Sequence, residues 1–499
     1  MQAPDLIPVI PELILLVGAC LILLVEPFLK PGEDGRVDRT AVIALALVAL
    51  LGSIVVSIAF AGESRTSFSG MLVLSDWAIF FKVLFALAGA LTVLLSSSYL
   101  ESQKRHLGEY YALLLFAIIG MDLMAAARDF ILLWVALELM SIASYLLAAF
   151  FRYRVRSNES ALKYLLTGSF ASAIMLYGIS LVYGLAGATS YKAVGQALAD
   201  PAAFGAIGRP GALIAILLVA IGLAFKVSAV PFHQWIPDVY QGAPTPIAAF
   251  FSVGPKAAAF SAFIAAFIIA FGADAGTVRD WGIFFLVLAI VTMLAGNLYA
   301  LVQTNVKRML AYSSIAHAGY LLTGLAAMGW GNNTYPGKGM LVYLAAYTFM
   351  NLGAFGILGY LKSVTPEGFD YSLKWFAGLG RRSPWAALLL TLFLLSLAGI
   401  PGTAGFIGKF YVFSGVVYAN LWWLAVIGVI LSAVSAYYYL RVVIYMFFKE
   451  PEEEYVLKER INGGTAMALA VAAIATVVIG VLPSWLWDSA ASAFGALMK

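Results

Sequence analysis

Residues 211–271 read GALIAILLVAIGLAFKVSAVPFHQWIPDVYQGAPTPIAAFFSVGPKAAAFSAFIAAFIIAF. Two apolar runs, near 211–233 and 243–271, flank a short polar link. A helix needs about 20 apolar residues to cross a bilayer core, and both runs reach that length. Each run carries one lysine beside proline. Pro231 and Pro237 follow Lys226, and Pro255 precedes Lys256. A charge at mid-membrane costs about 2.5–3.5 kcal/mol on insertion scales, so each lysine needs a partner, water or a role.

The same ruler along all 499 residues gives fourteen candidate spans. Besides those two they lie near 8–28, 41–61, 76–98, 110–127, 130–151, 160–186, 280–302, 309–328, 338–361, 384–418, 421–447 and 464–486. Only short loops remain between them. The chain is 63% hydrophobic and 11% charged, whereas soluble domains sit near about 45–50% and about 25%. This excludes a soluble enzyme, a disordered chain and a nucleic-acid binder. A β-barrel would show strands of about 10 residues with alternating polarity, which are absent here. Cys20 is the one cysteine, so no internal disulfide, CxxC pair or iron–sulfur site can form. His106, His233 and His317 are too few for a histidine-built metal cluster. The opening MQAPDLIPVIPEL has no positive n-region, so the first run is expected to be a span and not a cleavable signal peptide.

Seventeen cations fall in odd-numbered loops and six in even-numbered ones. The positive-inside rule then puts odd loops in the cytoplasm and both termini outside. Lys307 counts among the cytoplasmic loop cations, and the run Lys449–Arg460 reads as a solvated loop. Two spans are irregular. The seventh is interrupted by proline near its end. The twelfth, with LSLAGIPGTAGFIGKFYVF at 395–413, is too long for one straight crossing. Broken helices at matching places in two halves point to inverted repeats. The expected fold is therefore an all-α polytopic membrane protein of about 14 transmembrane helices. It has two inverted five-helix repeats, spans 4–8 and 9–13, each with a broken helix (spans 7 and 12). The expected units are 1–109 (three spans), 110–272 (first repeat), 273–448 (second repeat) and 449–499 (a loop and span 14).

Chemistry is expected from the few ions left inside spans. Glu138 is the acid near the middle of a span, and Trp134, Ser141 and Tyr145 share its helix face. Lys226 lies five residues before Pro231, which frees the Val227 carbonyl beside it. Lys256 follows Pro255 near the midplane, and Lys409 follows the glycine-rich break of span twelve in the outer half. Lysine suits a relay because desolvation favours loss of its proton and a carboxylate favours its return. The three lysines then form a stepped track across the bilayer, and the competing reading is local pairing for packing. His317 could relay protons laterally or be a satisfied core histidine. Lys163 could feed the Glu138–Lys226 pair or snorkel to the surface. Lys82 and Arg441 are expected to snorkel or meet lipid, and His233 to be interfacial. GFIGKF at 405–410 lacks the Ser/Thr and the first Gly of a phosphate-binding loop. No nucleotide, metal or haem site is expected in this chain.

The stretch AFKVSAVPFHQWIPDVYQGAPTPIAAFFSVGPKAA (224–258) resembles the span 7–8 signature of the antiporter-like subunits of respiratory complex I. The resemblance continues through DFILLWVALELMSIASYLL, NVKRMLAYSSIAHAGYLL and LSLAGIPGTAGFIGKFYVF, and covers nearly the whole chain. It implies a proton-carrying membrane-arm subunit of the bacterial NADH–quinone oxidoreductase, in the cytoplasmic membrane. Glu138 and Lys226 would be the coupled pair, Lys256 the central connecting lysine and Lys409 the release lysine. Lys163 and His317 also match family positions. The resemblance implies no cofactor in this chain, with NADH, FMN, iron–sulfur clusters and quinone in partner subunits. The implied partners are membrane-arm subunits M and K, the lateral helix of subunit L, and phospholipid. A subunit of a multi-subunit sodium/proton antiporter and a passive scaffold are the competing readings.

Overall fold

The computed structural model describes residues 5–30, 37–199, 208–272, 275–330, 333–365, 369–451 and 461–498. Most of the expected 449–460 loop lies outside them. The described chain is almost wholly helical. Helices α1 (Ile10–Val25), α2 (Thr40–Ala59) and α3 (Asp76–Ser102) come first. They are followed by α4 (Gly108–Ala126), α5 (Phe130–Ala148), α6 (Val155–Ala186), the short α7 (Tyr191–Leu198), α8 (Gly208–Val227), α9 (Trp235–Gly242) and α10 (Thr245–Ile269). Next are α11 (Ala275–Leu301), α12 (Val306–Met328), α13 (Tyr335–Val364), α14 (Leu379–Arg382), α15 (Pro384–Ala398), α16 (Ala404–Tyr418) and α17 (Trp422–Phe448). Helices α18 (Gly463–Val481) and α19 (Ser484–Leu497) end the chain.

Among the described residues, twelve helices are long and apolar enough to cross a membrane. The expected number was fourteen, and the difference has a physical reason. Helix α12 has 23 residues, but Lys307, Arg308, Ser313, Ser314 and His317 make it polar. The twelfth expected span is two helices of 15 residues, α15 and α16, each too short alone. The seventh expected span stops at Val227, and residues 228–234 lead without helix to α9.

One departure from an all-helical chain is a small antiparallel hairpin, β1 (Arg65–Ser67) with β2 (Leu72–Leu74). Its Met71 carbonyl accepts the Arg128 amide at 2.8 Å, and the Ser67 hydroxyl donates to the Asp5 carbonyl. The hairpin so covers the end of α4 and the start of the first span.

A common loop device recurs at the heads of α5 and α12. Asp129 caps α5, accepting the Ile131 amide at 2.8 Å, and Asn305 caps α12, accepting the Arg308 amide at 3.0 Å. Each cap residue bridges a distant loop residue, Ser190 and Ser372 respectively. The flanking amides exchange in the same pattern. Phe130 donates to Thr189 and Tyr191 to Arg128, as Val306 donates to Tyr371 and Leu373 to Thr304. Helix pairs match as well: α4 packs on α5 as α11 packs on α12, and α6 on α8 as α13 on α16. Small residues permit these approaches. A Cβ on Gly120 of α4 would stand 2.6 Å from the Met140 amide of α5. One on Gly319 of α12 would stand 2.6 Å from the Met293 amide of α11. Helices α10, α12 and α13 are buried along almost their whole length.

Candidate site: buried lysines at two helix breaks

Lys226 is the penultimate residue of α8 and is buried. Its ammonium stands 5.2 Å from the Tyr145 ring centre, 5.1 Å from that of Tyr164 and 5.6 Å from that of Phe225. These faces attract a cation through their quadrupoles. The ammonium has no hydrogen-bond partner in the protein. The expected Val227 carbonyl does not serve it, because that oxygen accepts the neighbouring Ser228 hydroxyl. The Phe225 carbonyl accepts the Ser228 amide at 3.1 Å and the Trp235 indole at 3.2 Å, and Trp235 stacks on Tyr164 at 4.3 Å. The first break is thus sealed by an aromatic group that leaves the lysine bare.

Glu138 stands midway along α5, half-buried, and accepts the Ser172 hydroxyl from α6. Ser172 also accepts the Trp134 indole at 2.9 Å, so two of the expected polar stripe share one partner. Tyr145, two turns on, lies under Lys226 instead. The Ser141 hydroxyl turns back to the Leu137 carbonyl. Glu138 and Lys226 are on one side of the molecule without touching as an ion pair.

Lys409 shows the opposite arrangement at the second break. Helix α15 ends on Gly399, at φ +92°, and its last carbonyls lack helical partners. The Lys409 ammonium donates to two of them, Leu397 and Ala398, at 2.9 Å each, and to the Ser432 hydroxyl at 2.7 Å. The negative end of a helix dipole suits a cation there. A Cβ on Gly399 would come within 3.2 Å of that ammonium, so glycine serves both the left-handed turn and the lysine.

Lys256 lies between the two breaks, on α10 directly after Pro255. It donates to the Ser314 carbonyl at 2.7 Å and the Ser314 hydroxyl at 2.6 Å. Three residues on, His317 places one ring nitrogen 2.5 Å from the Tyr343 hydroxyl and the other 3.2 Å from that of Tyr439. Tyr439 also meets Ser313 at 2.5 Å. Tyr320 packs edge-on to His317 and offers its face to Lys409, 5.2 Å away. A string of buried hydroxyls and an imidazole therefore spans the gap between Lys256 and Lys409. Tyr320 stands beside His317 in the sequence, but Tyr343 and Tyr439 of this string were not foreseen. Their spacing on α13 and α17 looks like an aromatic core until the helices are assembled.

Of the two readings of Lys163 the structure has the surface one: 45% exposed, it bridges Glu159 at 2.7 Å and Asp238 at 2.9 Å. Asp238 also binds Arg308 at 2.8 Å. Burial alone would raise the Asp238 carboxyl, but hydrogen bonds from Lys163 and Arg308 outweigh it and hold it below its ordinary value. Lys307 is no loop cation: it is buried in α12 and donates to the Ala243 carbonyl at 2.9 Å. Arg441 does not snorkel but caps the end of α11 through the Leu301 and Gln303 carbonyls. Lys82 is wholly buried and paired with Glu12, because the start of α1 brings that acid over α3. A second acid inside a span, Asp122, is also fully buried. It was legible as the acid in GMDLMAA, but its place near a helix end hid it. His233 keeps one ring nitrogen buried without a partner. Among the described residues, no three His, Cys, Asp or Glu side chains stand close enough to hold a metal ion.

A family model described as "NADH:quinone oxidoreductase/Mrp antiporter, TM" matches residues 127–435. NADH-quinone oxidoreductase subunit N of Trichlorobacter lovleyi is 43% identical over 99% of this chain and 97% of its own length. NADH-quinone oxidoreductase subunit N 2 of Rhizobium meliloti is 42% identical, covering 97% of each. Among solved structures, a chain of Thermus thermophilus respiratory complex I with bound aureothin superposes with a TM-score of 0.77 at 32% identity. That match covers 97% of this chain and 100% of the other. A chain of the Mrp complex from Dietzia sp. DQ12-45-1b reaches 0.82 at 19% identity, covering 99% and 98%, and shares the fold.

Proposed function

This chain belongs to the NADH:quinone oxidoreductase/Mrp antiporter transmembrane family and groups there with NADH-quinone oxidoreductase subunit N; on that premise we propose that it carries protons across the membrane arm of the complex. Protons pass from cytoplasm to periplasm through Glu138, Lys226, Lys256 and Lys409, with His317 linking the last two and Lys163 serving from the surface. The observation that carries this reading is that the ammoniums of Lys226, Lys256 and Lys409 are buried beside the two breaks and between them, none of the three with a carboxylate within ion-pair distance among the described residues. Two are held by neutral oxygens and one by ring faces alone. A buried charge without a counter-ion is poised to lose its proton when its surroundings change. Such a trio would be a poor choice for a scaffold.

This chain contributes no redox chemistry. Quinone reduction by partner subunits, which hold FMN and iron–sulfur clusters, drives the lysines through polar contacts along the arm. The neighbours are the other membrane-arm subunits, M and K, the lateral helix of subunit L, and phospholipid. Both termini face the periplasm, as the cation distribution favours.

The test is replacement of Lys226 by Ala in the assembled complex, in inverted membrane vesicles. NADH-driven proton uptake into the vesicles should fall at least several-fold while flavin and iron–sulfur content stay normal. Unchanged uptake would overturn the relay and leave a scaffold. The antiporter alternative shares the fold with the Mrp chain. Sodium-driven proton movement without NADH would favour it.

A further inference from the structure

The three N-terminal helices and α4 enclose charges that the lysine track does not use. Lys82, in the second turn of α3, is 0% exposed. Its ammonium lies 2.8 Å and 3.0 Å from the two Glu12 oxygens and donates to the Pro8 carbonyl at 3.2 Å. Asp122, one turn from the end of α4, is also 0% exposed, and neither of its oxygens has a hydrogen-bond partner. Glu12 and Lys82 are the charged groups acting on Asp122. The other elements against α4 supply none. Helix α2 and strand β2 carry no charged residue. Glu138 of α5 turns to Ser172, and Lys256 of α10 turns to Ser314.

Two carboxyl groups therefore stand in one closed, apolar place with a single ammonium that touches only Glu12. Val9, Leu72, Ala78 and Ala126 pack together at this end of the helices, and the β1–β2 hairpin closes over them. The ammonium spends its contacts on Glu12 and Pro8, leaving Asp122 without a donor. An ionised carboxylate without a protein donor in an apolar place is the least favourable state for such a group. A neutral acid balances the cluster as one ammonium and one carboxylate.

We propose that Glu12, Lys82 and Asp122 form a proton-holding site separate from the lysine track, with the proton carried by Asp122 as a carboxylic acid. The ligand is a proton and not a metal cation, because the one ammonium already neutralises one carboxylate. The site lies within two turns of the same membrane face for all three residues.

Infrared difference spectroscopy of the purified complex reads this directly. Asp122→Asn should remove a protonated-carboxyl C=O stretch present in the wild type, and Asp122→Glu should keep the band at a shifted position. Lys82→Met should add a second such band, from Glu12 losing its counter-ion and taking a proton. If Asp122→Asn instead removes a carboxylate band, Asp122 is ionised and the proposal fails. Should Asp122→Asn not assemble, the Asp122→Glu comparison decides alone. A shift in the protonated-acid region supports the site, and one in the carboxylate region overturns it.

Discussion

Lys226, at the end of α8, and Lys409, within α16 just past the second break, flank corresponding broken helices and meet opposite surroundings. Lys409 takes three hydrogen bonds, whereas Lys226 has aromatic faces and none. Replacing Lys409 by Ala strands the Leu397 and Ala398 carbonyls and removes the charge. Proton pumping should stop and electron transfer slow, while Lys409→Arg, which keeps donors and charge, retains part of both; NADH oxidation and vesicle acidification measured together check this. His106 offers a test outside the membrane. Burial, then the nearby Arg39 guanidinium, lowers it to about 4 from an ordinary 6.5, and its ring nitrogen meets the Tyr111 hydroxyl at 2.8 Å. The folded loop holds neutral histidine, so its stability is full above pH 6.5 and falls as pH drops towards about 4. Hydrogen exchange of residues 102–108 should therefore quicken over that range and become pH-flat in His106→Phe beyond the intrinsic exchange rate.

At the scale of elements, the two breaks were legible in sequence, since proline and clustered glycine end helices wherever they fall. Their outcome was not. Whether a freed carbonyl meets a lysine depends on what folds back over it. At the first break Trp235 and Ser228 reach the carbonyls; at the second, Lys409 does. Lys82 misled for the same reason, because a lysine two turns from a helix start snorkels unless another element brings an acid to it. Gly399 joins both themes. Gly399→Ala forces a left-handed backbone worth about 1–2 kcal/mol on a residue with a Cβ, and pushes that Cβ against the Lys409 ammonium. Loss of pumping should exceed loss of assembled complex, measured as activity per mole of flavin.

Across the whole molecule, exposed Lys163 with half-buried Arg308 and Asp238 ties α6, α9 and α12 together at one surface. Asp238 is one-third exposed, so Asp238→Asn should lower stability by no more than about 1 kcal/mol. A larger drop in the thermal midpoint of the complex would show that the network is more than a surface clasp. Apolar length revealed the membrane class at once, but the polar interior of the bundle needed the assembled helices. Helix α12 gathers that interior: its buried Lys307, Ser313, Ser314 and His317 all face protein. During synthesis, however, α12 reaches the translocation machinery before α13 exists to shield it. Among the described long helices it falls short of the apolar character of the twelve others. The short 302–305 turn and the close Gly319 contact with α11 point to entry as a hairpin, the apolar partner drawing in the polar one. A reporter fused after α12 should therefore end on the opposite side from one fused after α11 only when α11 is intact; scrambling α11 to a polar sequence should leave α12 uninserted.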